Sequence, residues 1–255
     1  MFFRNFLRPS LLLVVLVLLG CDTTTPVAPS AERERPLDAA SLSVHDARAS
    51  LAQVQATVRV LCFGDSFTFG TTHRDAPRFA TLSFVEGYEP KLERLLKGAL
   101  DDRFELINSG VGAEKTGGGL ERLPGELRIH HPDLVLLWLG VVDVNTTEKV
   151  PFTSVRENLA EMMHTIKSEG AQVVVGTYPP MNPEGFRALA PENVPRLNDV
   201  IRQEANAQQV PIAGHERAFG GDLTLIGPDG LHPNDNGYQL IAETWFEVIK
   251  NLRLP

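Results

Sequence analysis

From residue 58 onward the chain alternates short apolar runs with helical stripes, and this alternation constrains its fold more than any other feature. Val58–Phe63 (VRVLCF), Phe104–Ile107 (FELI), Leu134–Leu139 (LVLLWL) and Ala171–Thr177 (AQVVVGT) are predicted strands, with a short fifth near Val210-Pro211-Ile212. Between them, Val85, Leu92, Leu95, Leu96 and Ala99 recur at helical spacing, and residues 118–130 and 193–208 read as helices. Phe152, Val155, Leu159, Met162, Met163 and Ile166 form one apolar stripe, closed by Gly170. A last helix carries Ile241, Trp245, Val248 and Ile249. Strands that are apolar throughout are covered on both faces. Strands alternating with helices build a parallel sheet that supplies that cover. The expected fold class is therefore α/β, with a five-stranded parallel sheet.

In such sheets ligands bind beyond the carboxyl ends of the strands. Ser66, in Gly64-Asp65-Ser66-Phe67, follows strand one. Asn108-Ser109-Gly110-Val111-Gly112-Ala113 follows strand two, and Gly140-Val141-Val142-Asp143 follows strand three. Asp229-Gly230-Leu231-His232-Pro233 precedes the last helix, so one edge gathers all four segments. A serine on a strand-to-helix turn exposes its Oγ. A histidine with an acid three residues before it can direct Nδ1 at that acid and Nε2 at the serine. Ser66, His232 and Asp229 thus supply a nucleophile, a general base and the group that orients the base, the parts of acyl transfer.

Of seven histidines only His232 has this setting. His130 and His131 read as loop structure before a buried strand, and His45 and His164 as solvated helix positions. His215 has no evident role. His73, seven residues after Ser66, falls in a loop expected to face substrate. The pocket walls are expected in residues 67–85 and 180–192, which mix Phe67, Phe69, Phe79, Phe84, Met181 and Phe186 with Arg74, Arg78 and Arg187. That mixture suits an ester with an apolar acyl part and a polar or anionic remainder. Neither H-x-x-x-H nor C-x-x-C occurs, and no Gly-rich phosphate loop follows strand one, so no metal and no cofactor are expected.

These blocks make residues 57–252 resemble the SGNH hydrolase superfamily, the GDSL-type lipases and esterases. Thr116–Leu123 (TGGGLERL) also resembles the stretch after that family's second block. The resemblance implies a three-layer α/β/α sandwich of flavodoxin-like type over residues 57–255. It implies metal-free hydrolysis of esters or thioesters, with lipids and acetylated glycans among the candidate substrates. It also implies an oxyanion hole built on backbone N–H groups of Ser66 and the second block. Two positions depart from the family pattern. Ala113 stands where N-x-G-x-x-G ends in glycine, which leaves its N–H or that of Gly112 as donor. Val142 stands where G-x-N-D has a donating asparagine; Asn145, three residues on, is the side chain that would have to reach back. The Val142 departure keeps two alternatives open, a surface module binding acylated glycans and an acyltransferase with weakened hydrolysis.

The N-terminal sequence leads to the expectation of a membrane-anchored domain. Arg4 and Arg8 precede an apolar run, Leu11–Leu19, that is too short to span a bilayer comfortably. The run ends in Leu18-Leu19-Gly20-Cys21, which resembles a bacterial lipoprotein signal: residues 1–20 as signal peptide and Cys21 as the lipidated first residue. Residues 21–56 then form a Thr/Pro-rich tether with a short helix expected within 37–56. The expected location is the bacterial cell envelope, lipid-anchored on its extracytoplasmic side, as a monomer. Net charge is −8, or about −10 once two arginines leave with the signal, which argues against nucleic-acid partners. With Cys21 lipidated, Cys62 in strand one has no disulfide partner and is expected to be a buried, inert thiol.

Overall fold

In the computed structural model, which describes residues 56–72, 83–84 and 86–255, five strands form one parallel sheet. They are β1 (Val58–Gly64), β4 (Phe104–Gly110), β5 (Leu134–Trp138), β6 (Gln172–Gly176) and β7 (Ile212–Ala213). Across the sheet they run β4-β1-β5-β6-β7. By chain order that is second, first, third, fourth, fifth, the flavodoxin-like arrangement, whose direction reverses at β1. A separate antiparallel pair joins β2 (Thr71–Thr72) to β3 (Ser83–Phe84). The expected signal segment, Cys21, the tether and the 37–56 helix lie outside the described residues, save Ala56. So do His45, His73, Arg74, Arg78, Phe79 and Val85.

The central strands are buried because they are apolar on both faces: β5 is buried at every position and β1 at all but Arg59. The cover comes from helices on two sides. Helix α2 (Tyr88–Ala99) packs on α8 (Asp235–Ile249), while α3 (Thr116–His130), α5 (Phe152–Ser168) and α6 (Val194–Ala207) pack in series. Three shorter helices, α1 (Ser66–Phe69), α4 (Val141–Val144) and α7 (His215–Phe219), were not legible in the periodicity. A four- or five-residue helix carries too little pattern to register.

Several boundaries move. Strand β4 runs to Gly110, so Asn108-Ser109-Gly110 belong to the strand and only 111–115 form the following turn. Asn108 and Ser109 pair in register with Cys62 and Phe63 of β1, and polar residues at a sheet edge conceal the strand's length. Strand β7 begins at Ile212, after Pro211, which has no N–H to give a ladder. His130 is the last residue of α3, 3.4 Å from Glu126, and His131 caps that helix in the left-handed conformation (φ 44°).

An aromatic core fills the space beneath the β1 and β5 edge. Phe67 meets Trp138 and Tyr178 edge-on at 5.2 and 5.3 Å, and Trp138 stacks on Tyr178 at 5.3 Å. Trp245 from α8 closes it at 5.9 Å from Trp138. Each such ring contributes on the order of 2 kcal/mol or more through burial. His215 lies inside this core, 4.7 Å from Trp138 and 4.8 Å from Trp245, with neither ring nitrogen bonded within the described residues. Burial lowers its pKa to about 3, so it stays neutral. Cys62 is likewise fully buried, and burial drives its thiol pKa far up.

Candidate active site

Strand β1 delivers Ser66 to the sheet's carboxyl edge through a tightly built corner. Asp65 accepts the Phe67 N–H at 2.9 Å, capping α1, and its other oxygen accepts the Tyr178 hydroxyl at 2.8 Å. The corner needs close backbone approach from β4. A Cβ on Gly110 would lie 2.2 Å from the Phe69 nitrogen, so only glycine fits. Phe67 and Met181, expected as pocket walls, are buried instead, Phe67 beneath the serine and Met181 in the core. Phe67 also lies 5.4 Å from the His232 ring, so one side chain supports both partners.

The structure brings the three candidate residues together. Ser66 Oγ is 2.8 Å from His232 Nε2, and His232 Nδ1 is 2.6 Å from Asp229 Oδ2. The second Asp229 oxygen accepts the backbone N–H groups of Leu231 and His232 at 3.0 and 2.9 Å. Gly230 makes that turn possible: its φ of +81° and its contact with the Gly185 backbone exclude a side chain. Asp229 and His232 are essentially inaccessible, while Ser66 is half-buried and open to the cleft.

Two buried carboxyls flank Ser66 and behave oppositely. For Asp229, burial favours the neutral acid, but the His232 hydrogen bond and charge and two backbone amides outweigh it and hold the pKa below the usual carboxylate value. Among the described residues Asp65 has no cationic partner; burial dominates its two hydrogen bonds, aided by repulsion from Asp143 and Glu114, and raises its pKa to about 7.

On the other side of Ser66 lies the turn after β4. Ala113 adopts φ +61°, the left-handed region, so its Cβ is tolerated there at some strain. The N–H groups of Ser66, Gly112 and Ala113 donate no hydrogen bond within the described residues, and all three residues line the cleft. Sequence reasoning missed what holds this turn. Arg122 of α3 grips Glu114 with two nitrogens, Nε at 3.0 Å and Nη2 at 2.6 Å. It also donates to the Ser109 carbonyl at 3.1 Å and lies 4.0 Å over the Phe63 ring. Asp143 performs the same service for α3, accepting the Thr116 N–H and hydroxyl at 2.9 Å each; this cap lets a helix begin on three consecutive glycines. A pairing such as Asp143 with Thr116 is not visible in one sequence, because the two residues are 27 positions apart.

Val142 is half-buried on the cleft wall, with only an apolar side chain to offer. Asn145 also lines the cleft, but its side chain is engaged elsewhere. Its Nδ2 donates to the Arg187 carbonyl at 2.7 Å, and its Oδ1 accepts the N–H groups of Leu189 and Ala190 at 2.8 and 3.2 Å. It therefore straps the 187–190 segment rather than pointing an amide at an oxyanion. The cleft holds about 560 Å³, with Phe69, Phe186 and Leu189 half-exposed on its rim.

Gly-Asp-Ser after the first strand of a flavodoxin-like sheet, with Asp-x-x-His ahead of the last helix, defines a GDSL-type acyl hydrolase architecture. The chain belongs to the GDSL-like Lipase/Acylhydrolase family, which matches residues 62–240. It is 29% identical over 216 residues to an arylesterase from Vibrio mimicus, covering 79% of this chain and 93% of that one. It is 27% identical over 203 residues to esterase TesA from Pseudomonas aeruginosa, covering 79% and 92%. Among solved structures, a lipase/acylhydrolase from Enterococcus faecalis superposes with a TM-score of 0.66 at 26% identity, covering 78% of this chain and 98% of that one. The aryl esterase of M. smegmatis shares the fold with the same TM-score of 0.66 at 21% identity, covering 77% and 100%. The protein is an ester-hydrolysing enzyme.

Proposed function

We propose that the protein cleaves acyl esters with Ser66 as nucleophile, His232 as general base and acid and Asp229 as the orienting carboxylate, from a lipid anchor on Cys21. Ser66 Oγ attacks the acyl carbonyl while His232 Nε2 takes its proton. The oxygen that becomes negative accepts N–H groups of Ser66 and Ala113, with Gly112 beside them. His232 then gives the proton to the departing alcohol oxygen. Water attacks the acyl-serine by the same route in reverse, releasing the acid. The observation that carries this is the unbroken chain of contacts from Ser66 Oγ through His232 to Asp229, at 2.8 and 2.6 Å on the cleft floor.

Ser66→Ala is expected to lower p-nitrophenyl acetate hydrolysis by about four orders of magnitude or more and to abolish fluorophosphonate labelling. Hydrolysis retained in that variant would refute the assignment. The anchor rests on the Leu18-Leu19-Gly20-Cys21 sequence. Cys21→Ser should move the protein from the detergent phase to the aqueous phase, and an unchanged partition would remove the anchor from the proposal. Val142 supports a second reading, a surface module that binds acylated glycans with little turnover. It requires ligand binding that survives Ser66→Ala and no labelling of Ser66 in the wild type.

A further inference from the structure

Arg187 carries the one permanent charge among the described residues lining the cleft. Its backbone is fixed at the acid–base side of the site. The Arg187 N–H donates to the Asp229 carbonyl at 2.9 Å, and its own carbonyl accepts from Asn145 at 2.7 Å. The guanidinium is held less firmly. Its Nε forms a loose ion pair with Asp229 Oδ2 at 3.9 Å and its central carbon lies 5.9 Å from the Phe186 ring centroid, while the group donates no hydrogen bond within the described residues. Around it the walls are apolar: Phe69, Val142, Phe186, Leu189 and Leu231. Five N–H donors of fixed geometry, carried on a strapped backbone and making no hydrogen bond of their own in an apolar cleft, fit a planar oxyanion best.

The side of the site is also decided. The segment bearing Arg187 bonds to residues 229–230, through Arg187 to Asp229 and Asn182 to Gly230, while the open backbone donors lie on the turns after β1 and β4. A departing alcohol oxygen must reach His232 Nε2, so the alcohol half of the ester lies toward Arg187 and the acyl oxygen toward Ala113. We infer that Arg187 recognises an anionic group, a carboxylate or an acid of similar geometry, on the alcohol half of the substrate. The preferred esters are then those of carboxylate-bearing alcohols or phenols. This rests on the esterase proposal above.

The test compares 4-acetoxybenzoate with its uncharged methyl ester, following acetate release by the full-length protein. The expected kcat/KM ratio of charged to neutral ester is at least about tenfold in the wild type, the scale of one charge-assisted contact. It should fall to about one in Arg187→Gln, with Arg187→Lys between. A wild-type ratio near or below one overturns the inference, as does a ratio that Arg187→Gln leaves intact, which would mean that Arg187 acts only through Asp229. Competitive inhibition of the wild type by 4-hydroxybenzoate against 4-hydroxybenzamide reads the same preference without any variant; equal inhibition constants would overturn it. If neither ester is cleaved and Ser66 is not labelled by a fluorophosphonate, the esterase proposal fails. Calorimetric binding of 4-hydroxybenzoate to wild type and Arg187→Gln then decides Arg187 separately, and equal affinities would reject it.

Discussion

The two halves of the cleft are built to different standards. On one side Asp229, His232 and Ser66 form a closed chain of short hydrogen bonds in which both Asp229 oxygens are occupied. On the other, the proposed oxyanion side has only backbone donors to offer, one of them on an alanine held at positive φ, and the wall opposite is Val142. The contrast teaches that the proposed acid–base half depends on the chemistry of three particular side chains. The proposed oxyanion side depends instead on the shape of a turn, which a clamp from Arg122 to Glu114 holds. In the proposed mechanism a missing side-chain donor there lowers the rate without dismantling the site.

The largest test of this contrast attacks the complete half. Asp229→Asn keeps the shape but leaves His232 Nδ1 facing an amide, and kcat should fall about ten-thousandfold with little change in KM. A loss under tenfold would mean that Asp229 does not orient the base. The next test uses the opposite behaviour of the two buried acids. Because the folded-state pKa of Asp65 is raised, from 3.8 to about 7, its stabilisation is full below pH 4 and is lost as pH rises through 7. Asp229, with a lowered pKa, stabilises above its ordinary value and loses that contribution as pH falls. Subtracting the urea-unfolding free energies of Asp65→Asn from those of wild type should leave a difference that shifts by about 3 kcal/mol between pH 4 and 7. A flat difference would mean that Asp65 is already ionised.

Two smaller effects sharpen the thin half. Val142→Asn restores a donor on the cleft wall and should raise kcat about tenfold, less than the hundredfold or more that loss of such a donor costs in an optimised site. Unchanged turnover would show that the backbone donors already saturate the oxyanion. Ala113→Gly relieves the left-handed strain and should add about 0.5 kcal/mol to stability, measured by chemical denaturation. A loss of stability would place the turn in a conformation that needs the Cβ.

How much of this was legible beforehand follows from the range of the interactions. The five strands, the longer helices and the gathering of Ser66, Asp229 and His232 at one edge were readable, because each rests on local periodicity or on a motif of a few residues. The hydrogen bond from Tyr178 to Asp65, 113 positions apart, was not. Nor was the clamp of Arg122 on Glu114 or the Asp143 cap on α3, since a charged residue at a helix surface looks the same whether it is solvated or engaged. Asn145 illustrates the same limit. Its position near a missing asparagine suggested an oxyanion donor, whereas the amide straps the segment that carries Arg187.

The chain's two tryptophans, Trp138 and Trp245, both sit in the aromatic core beneath Ser66, with Phe67 joining that core to the His232 ring. Its ultraviolet emission is thus a built-in gauge of one spot. Any acylation of the serine, or any loosening of the corner that displays it, should register as a change in colour or intensity without an added dye.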